Sequence, residues 1–213
     1  MPLNGASPLL RSGTFLEFLM GFALLILGLV VFIGAHVFVS RRDDRAAVIA
    51  RIGEGPYKGL FSLVSLIGLA FIIYGFALYR RDGMIAVWSP PVWMRHLAIP
   101  LVWLAFTCLV AAYIPGDIKR VLKHPMLVGV KLWALAHLLA NGDLGSMVMF
   151  GSLLAWAVFD RISLKHRADP GGPAIPVGGR KNDAVAILIG TVLFAAFGYV
   201  FHPLWIGVPV FGA

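Results

Sequence analysis

The stretch Phe15-Leu-Glu-Phe-Leu-Met-Gly-Phe-Ala-Leu-Leu-Ile-Leu-Gly-Leu-Val-Val-Phe-Ile-Gly-Ala-His-Val-Phe-Val39 decides the fold. It carries one acid, Glu17, at its start and one histidine, His36, near its end. A helix over residues 15–39 is long enough to cross the ~30 Å hydrocarbon layer of a bilayer. The apolar run is also well beyond the ~7–15 residues of a signal-peptide core. Ser40-Arg41-Arg42 follows it in place of a small-residue cleavage site, so the run reads as a retained first span.

Working outward, five more apolar runs occupy 60–79, 97–114, 126–140, 144–160 and 184–205. Only Asn141-Gly142-Asp143 separates the fourth from the fifth, and this turn tripeptide predicts a tight helical hairpin there. The expected fold is an all-α, polytopic membrane helical bundle. It has about six transmembrane helices, in one domain covering residues 1–213. Composition agrees, because only 13% of the 213 residues are charged, against about a quarter in a soluble domain. Gly21, Gly28 and Gly34 in the first span would let another helix approach closely.

The formal charge of +8 sits in short segments beside the apolar runs, where anionic lipid rather than nucleic acid is the nearest partner. The segment 40–59 carries Arg41, Arg42, Arg45, Arg51 and Lys58, and 115–125 carries Lys119, Arg120 and Lys123. The segment 161–183 carries Arg161, Lys165, Arg167, Arg180 and Lys181; the opposite side has only Arg11, Arg80, Arg81 and Arg95. Basic residues favour the cytoplasm, so both termini are expected on the non-cytoplasmic side of a cell inner membrane. Trp88, Trp93 and Trp205 would then form an aromatic belt on the outer face. Asp169-Pro170-Gly171-Gly172-Pro173 and Pro176-Val177-Gly178-Gly179 mark 161–183 as a linker. The single cysteine, Cys108, lies inside an apolar run. It excludes an intramolecular disulfide and reads as a small buried hydrophobe.

The residues that could carry chemistry are mainly histidines. His96 and His166 sit beside arginines in polar segments and are expected to be solvated, whereas His36, His124, His137 and His202 fall in or at the ends of spans. Neutral imidazole ligates haem iron, zinc and copper. A lone membrane histidine can equally serve as an interhelical hydrogen-bond partner. There is no His-Glu-x-x-His, Cys-x-x-Cys, nucleotide-binding glycine loop or serine elbow, so those enzyme classes have no support and no catalytic residue is assigned. Helical rise and rotation place His124 and His137 of one span about 20 Å and 140° apart. Two levels follow, one with His36 and His124, the other with His137 and His202. Lys131 shares a face with His124; it either snorkels to the rim or offers a counter-charge to an anionic ligand. Asn141 or a backbone carbonyl could orient a ligating ring.

The run Arg120-Val-Leu-Lys-His124-Pro125-Met-Leu-Val-Gly129-Val-Lys-Leu-Trp133-Ala-Leu-Ala-His137-Leu-Leu-Ala-Asn141-Gly142-Asp143 resembles the signature of the NnrU membrane-protein family. His36-Val-Phe-Val-Ser40, Tyr57-Lys-Gly59-Leu-Phe-Ser62-Leu-Val-Ser65 and His202-Pro203-Leu-Trp-Ile-Gly207 extend the resemblance over nearly the whole chain. It implies a link to bacterial denitrification and nitric oxide metabolism, as a sensor or an accessory factor working beside nitrogen-oxide reductase components. A plant and cyanobacterial relative, 15-cis-zeta-carotene isomerase, uses haem b with histidine ligands. Carried over by motif, the ligands of a haem b would be His36 and His137, and a haem-dependent cis–trans isomerase is the implied alternative. Ala134 stands where that relative has a cysteine, so a ligand switch there is not available. A fainter likeness, Lys123-His124-Pro125-x-x-x-Gly129, is to membrane methyltransferases that use S-adenosylmethionine. Those enzymes need paired acids where this chain has Asp160 alone. A non-catalytic scaffold completes the alternatives.

Overall fold

The computed structural model describes residues 12–167 and 178–211. Arg11 and the prolines and glycines of 168–177 lie outside the described residues. The helices are α1 (Ser12–Ser40), α2 (Arg42–Ile52), α3 (Glu54–Asp82), α4 (Val92–Tyr113), α5 (Asp117–Leu122), α6 (Pro125–Ala140), α7 (Leu144–Lys165) and α8 (Gly179–Ala196). The last runs on without a break as a π-helix, Phe197–Ile206. Among the described residues there is no strand, only one isolated antiparallel bridge between Ala86 and Asp143. The all-α membrane fold expected from the apolar runs is therefore present.

Five helices are long and apolar enough to cross a bilayer: Leu16–Ser40, Glu54–Asp82, Val92–Tyr113, Leu144–Lys165 and Gly179–Ile206. The sixth apolar run is α6, with 16 residues. At 1.5 Å per residue it reaches ~24 Å, short of the ~30 Å hydrocarbon core. Hydropathy marked the lipid-facing part of each helix; the helices themselves continue into polar sequence. Thus α3 begins at Glu54, six residues before its apolar run, and a Lys58–Glu54 ion pair of 2.8 Å covers that first turn. Two polar segments read as loops also contain helices, α2 and α5. The expected 161–183 linker is narrower, because α7 continues to Lys165 and α8 starts at Gly179.

Two compact units emerge, and α7 contributes to both: its residues to Ser152 belong to the first and those from Leu153 to the second. In the first unit α1 lies antiparallel along α3, with glycines on both sides of the seam. A methyl group on Gly28 would lie 2.8 Å from the Gly68 carbonyl oxygen, and one on Gly75 would lie 2.9 Å from that of Gly21. Only glycine permits this approach, and in lipid such dispersion contacts replace the hydrophobic drive. Gly21 and Gly28 thus behave as expected, whereas nothing lies within 4 Å of a methyl built on Gly34. Tyr79 is fully buried beside Phe18, Phe22 and Phe76. Its hydroxyl accepts hydrogen bonds from the amides of Ile85 (3.1 Å) and Gly145 (3.0 Å). The Asn141–Asp143 turn separates α6 from α7 as expected. Gly142 accepts amide bonds from Val87 and Trp88, and Asp143 caps α7 by accepting from the Ser146 amide at 2.9 Å.

In the second unit α4 packs against α6 and α8 through small residues. Gly129 of α6 meets the Ala105 carbonyl, and Gly190 of α8 meets Thr107. Trp103 donates its indole N–H to Thr191 Oγ1 at 2.9 Å, satisfying a polar group that lipid could not. Cys108 is buried, as expected of a small hydrophobe. The polar end of α8 holds α5: the Asp183 carboxylate accepts from the Ile118 amide (3.0 Å), and Asn182 donates to the Pro115 carbonyl (3.0 Å). Pro203, which has no N–H to donate, sits inside the π-helical turn, which ends at Gly207 with φ of 74°.

Candidate functional site

His36 belongs to the first unit, on the last turns of α1. Its Nδ1 lies 2.7 Å from the Phe32 carbonyl oxygen, one turn back. A carbonyl only accepts, so Nδ1 is the donor in this bond. The ring packs on Phe32 (4.2 Å between centroids) and edge-on against Phe61 of α3 (5.2 Å).

His137 belongs to the second unit, near the end of α6, and repeats this arrangement. Its Nδ1 lies 2.8 Å from the Trp133 carbonyl oxygen, and its ring packs on the Trp133 indole at 5.1 Å. The orienting acceptor is thus a backbone carbonyl. Asn141 instead donates its side-chain amide to the His137 carbonyl at 2.8 Å and closes the helix end. Ala134 is fully buried.

His202 donates Nδ1–H to the Val208 carbonyl at 2.6 Å, and its own carbonyl receives the Gly207 amide, so it shapes the end of the π-helix. It belongs to the same unit as His137, the histidine expected to share its level. His36 lies in the first unit, whereas His124, His137 and His202 all lie in the second.

His124 precedes Pro125, the first residue of α6, as the His-Pro sequence suggested. It lines a cavity of about 370 Å³ with Lys119, Lys123, Trp156, Asp160 and Leu164. Burial holds its ring below the ordinary histidine value, with Arg161, Lys119 and Lys123 acting in the same direction and Asp160 opposing. Lys131 is half-buried within α6. His96 and His166 are exposed as expected, although His96 lies within the first turns of α4 rather than in a loop. His166 also bonds the carbonyl one turn back, that of Ile162, at 2.9 Å. That hydrogen bond is therefore shared by an exposed histidine and does not by itself mark a site. Placement in an apolar helix is what distinguishes His36 and His137.

Imidazole nitrogens are of the donor type that a metal ion or a haem iron would take, and His36 and His137 would be the residues to hold it. Among the described residues no three His, Cys, Asp or Glu side chains converge on a metal-sized site.

The sequence model of the family described as NnrU protein matches residues 24–210. The chain belongs to the NnrU family. The match takes in His36, His124, His137 and His202 together with the residues of the cavity. Neither a curated protein nor a solved structure matches this NnrU chain. It is a multi-pass membrane protein, with apolar helices suited to a lipid bilayer. Asp160, the lone acid set against the paired acids of membrane methyltransferases, lies 3.7 Å from Arg167 in an ion pair. Sequence reasoning missed Trp156 as a site residue, since a tryptophan in an apolar run carries no signal of the cavity beneath it.

Proposed function

We propose that this NnrU protein binds haem b in the inner membrane and serves nitrogen-oxide metabolism as a sensor or accessory factor, working beside nitrogen-oxide reductase components. The observation that carries the reading is His137. It is a half-buried imidazole in the last turn of the apolar helix α6, with Nδ1 hydrogen-bonded to the Trp133 carbonyl at 2.8 Å. The family motif pairs it with His36, whose Nδ1 makes the same bond to the carbonyl one turn back. His202, in the same unit, is the other partner, and both pairings require His137. Bound haem would supply one-electron chemistry or capture of a diatomic ligand. The protein's own residues fix the ring tautomers, and the surrounding apolar helices exclude water. The distribution of basic residues supports an orientation with both termini outside the cytoplasm.

The test is the absorption spectrum of the full chain purified after expression with ample haem supply. A Soret band that is lost in His137→Ala, and in either His36→Ala or His202→Ala, supports the reading and identifies the pair. A colourless wild-type protein overturns it.

A further inference from the structure

The cavity beside His124 has a chemical character that haem binding does not use. Its inner wall is apolar, made of Pro125, Met126, Trp156 and Leu164. Its mouth is cationic, with Lys119 and Lys123 on the segment that carries three basic residues and no acid but Asp117. Asp117 is engaged elsewhere, 3.1 Å from Arg120. The carboxylate in the wall, Asp160, is matched by Arg167. Arg161 and the two lysines all act electrostatically on His124, so positive charge converges on this opening.

The backbone also commits Lys123 to this position. With φ of 62° it is the one non-glycine residue at positive φ among the described residues. The His124 amide bonds the Leu122 carbonyl across it at 2.7 Å. This is the geometry of a γ-turn, which is rare and strained for an L-residue. Glycine would hold the turn more easily, yet a lysine occupies it. Lys119 reaches back at 3.4 Å to the Ala112 carbonyl in the last turn of α4, where partial negative charge collects, and it keeps further donors for a ligand.

A charged mouth over an apolar wall, at the end of helices that span a bilayer, matches the interface where lipid phosphate meets acyl chain. Basic pockets between membrane helices on the cytoplasmic side take anionic head groups. We propose that this cavity binds the phosphodiester head group of an anionic phospholipid. Lys119 and Lys123 hold the phosphate, and Trp156 and Leu164 contact the first methylenes of its chains. The volume, at the low end of the ~300–1,000 Å³ of small-molecule sites, admits a head group and chain starts but not a whole lipid.

The test is native mass spectrometry of the full chain in detergent. Phosphatidylglycerol and phosphatidylcholine are titrated separately, and inorganic phosphate serves as competitor. The wild type should retain phosphatidylglycerol at about tenfold lower concentration than phosphatidylcholine, a preference the Lys119→Gln/Lys123→Gln pair should lose. Lys123→Gly removes the cation while easing the backbone, so it should stay folded and still bind several-fold more weakly. Arg41→Gln/Arg51→Gln, which deletes the same charge from another basic segment, should leave the preference intact. Equal retention of both lipids by the wild type overturns the proposal. So does an equal loss in the arginine pair, unchanged binding in Lys123→Gly, or full displacement by millimolar inorganic phosphate, which would mark a free-phosphate site. Haem content plays no part in the readout, so failure here and failure of the haem reading are separable.

Discussion

Gly28 of α1 passes so near Gly68 of α3 that a methyl group on Gly28 would lie 2.8 Å from the Gly68 carbonyl oxygen. The same methyl would stand 2.5 Å from the Ile72 amide nitrogen, and backbone on that side cannot move aside as a flexible side chain would. Gly28→Ala should therefore force the two helices apart and destabilise the first unit by about 1–3 kcal/mol, the usual cost of overpacking. Gly34→Ala, where the added methyl meets nothing within 4 Å, should be neutral or stabilising. Thermal unfolding of the two variants in the same detergent checks the contrast.

Tyr79 offers a second test. Its hydroxyl receives two backbone amides, and the side chain is fully buried. Tyr79→Phe keeps the ring packing and leaves both amides without an acceptor. The Gly145 amide is buried and costs about 1–3 kcal/mol when unmet, while the Ile85 amide is partly exposed, so the variant should melt below the wild type. Hydrogen exchange should rise at Ile85 and Gly145 specifically.

The histidine at the cavity mouth makes stability depend on pH. His124 is held below its ordinary value of 6.5, chiefly by burial, with Arg161 of α7, Lys119 of α5 and the adjoining Lys123 adding repulsion and Asp160 of α7 opposing. The unfolded chain then binds a proton that the folded chain refuses. His124 stabilises the fold above pH 6.5, and this contribution is lost as pH falls through 6.5 toward the lower folded value. Melting temperature should fall on acidification over that window, and His124→Gln should flatten the profile. A fall of the same size in the variant would assign the effect to other groups.

Much of this was legible in the sequence because lipid imposes simple rules. Long apolar runs gave the helices, and Asn141-Gly142-Asp143 marked the break between α6 and α7. Helix ends were less legible, because hydropathy reports the surroundings of a residue and not its backbone. Glu54–Lys58 and Arg42–Ile52 are helical but rich in charge, with a Lys58–Glu54 ion pair in the one and an Arg41–Asp44 ion pair at the start of the other, so they read as loops. The short α6 also read as a span, although its 16 residues fall short of the hydrocarbon width. The site was legible as residue types, not as geometry. Histidines in apolar runs drew attention to His137, but the use of the Trp133 carbonyl to fix its tautomer came only from coordinates. The cavity at Lys119 and Lys123 was hidden, since Trp156 and Leu164 join it from a helix some thirty or more residues away in sequence.

A prediction on helix contact concerns Trp103 and Thr191, whose 2.9 Å hydrogen bond joins α4 to α8. Thr191→Val keeps the shape and removes the acceptor. Interhelical hydrogen bonds in membranes contribute on average ~0.6 kcal/mol, so a small loss is expected, far below that of Gly28→Ala. Denaturant titration of both variants side by side would rank them; the reverse order would show that hydrogen bonding outweighs close packing in this bundle.

The most direct measurement is the Soret absorbance of His137→Ala compared with His166→Ala, each purified as the full chain with ample haem. The two rings share the hydrogen bond to the carbonyl one turn back, but only His137 lies within an apolar helix, His166 being exposed past the end of α7. Loss of the band in His137→Ala with full retention in His166→Ala is the expected result. A band of wild-type strength in His137→Ala would contradict the account.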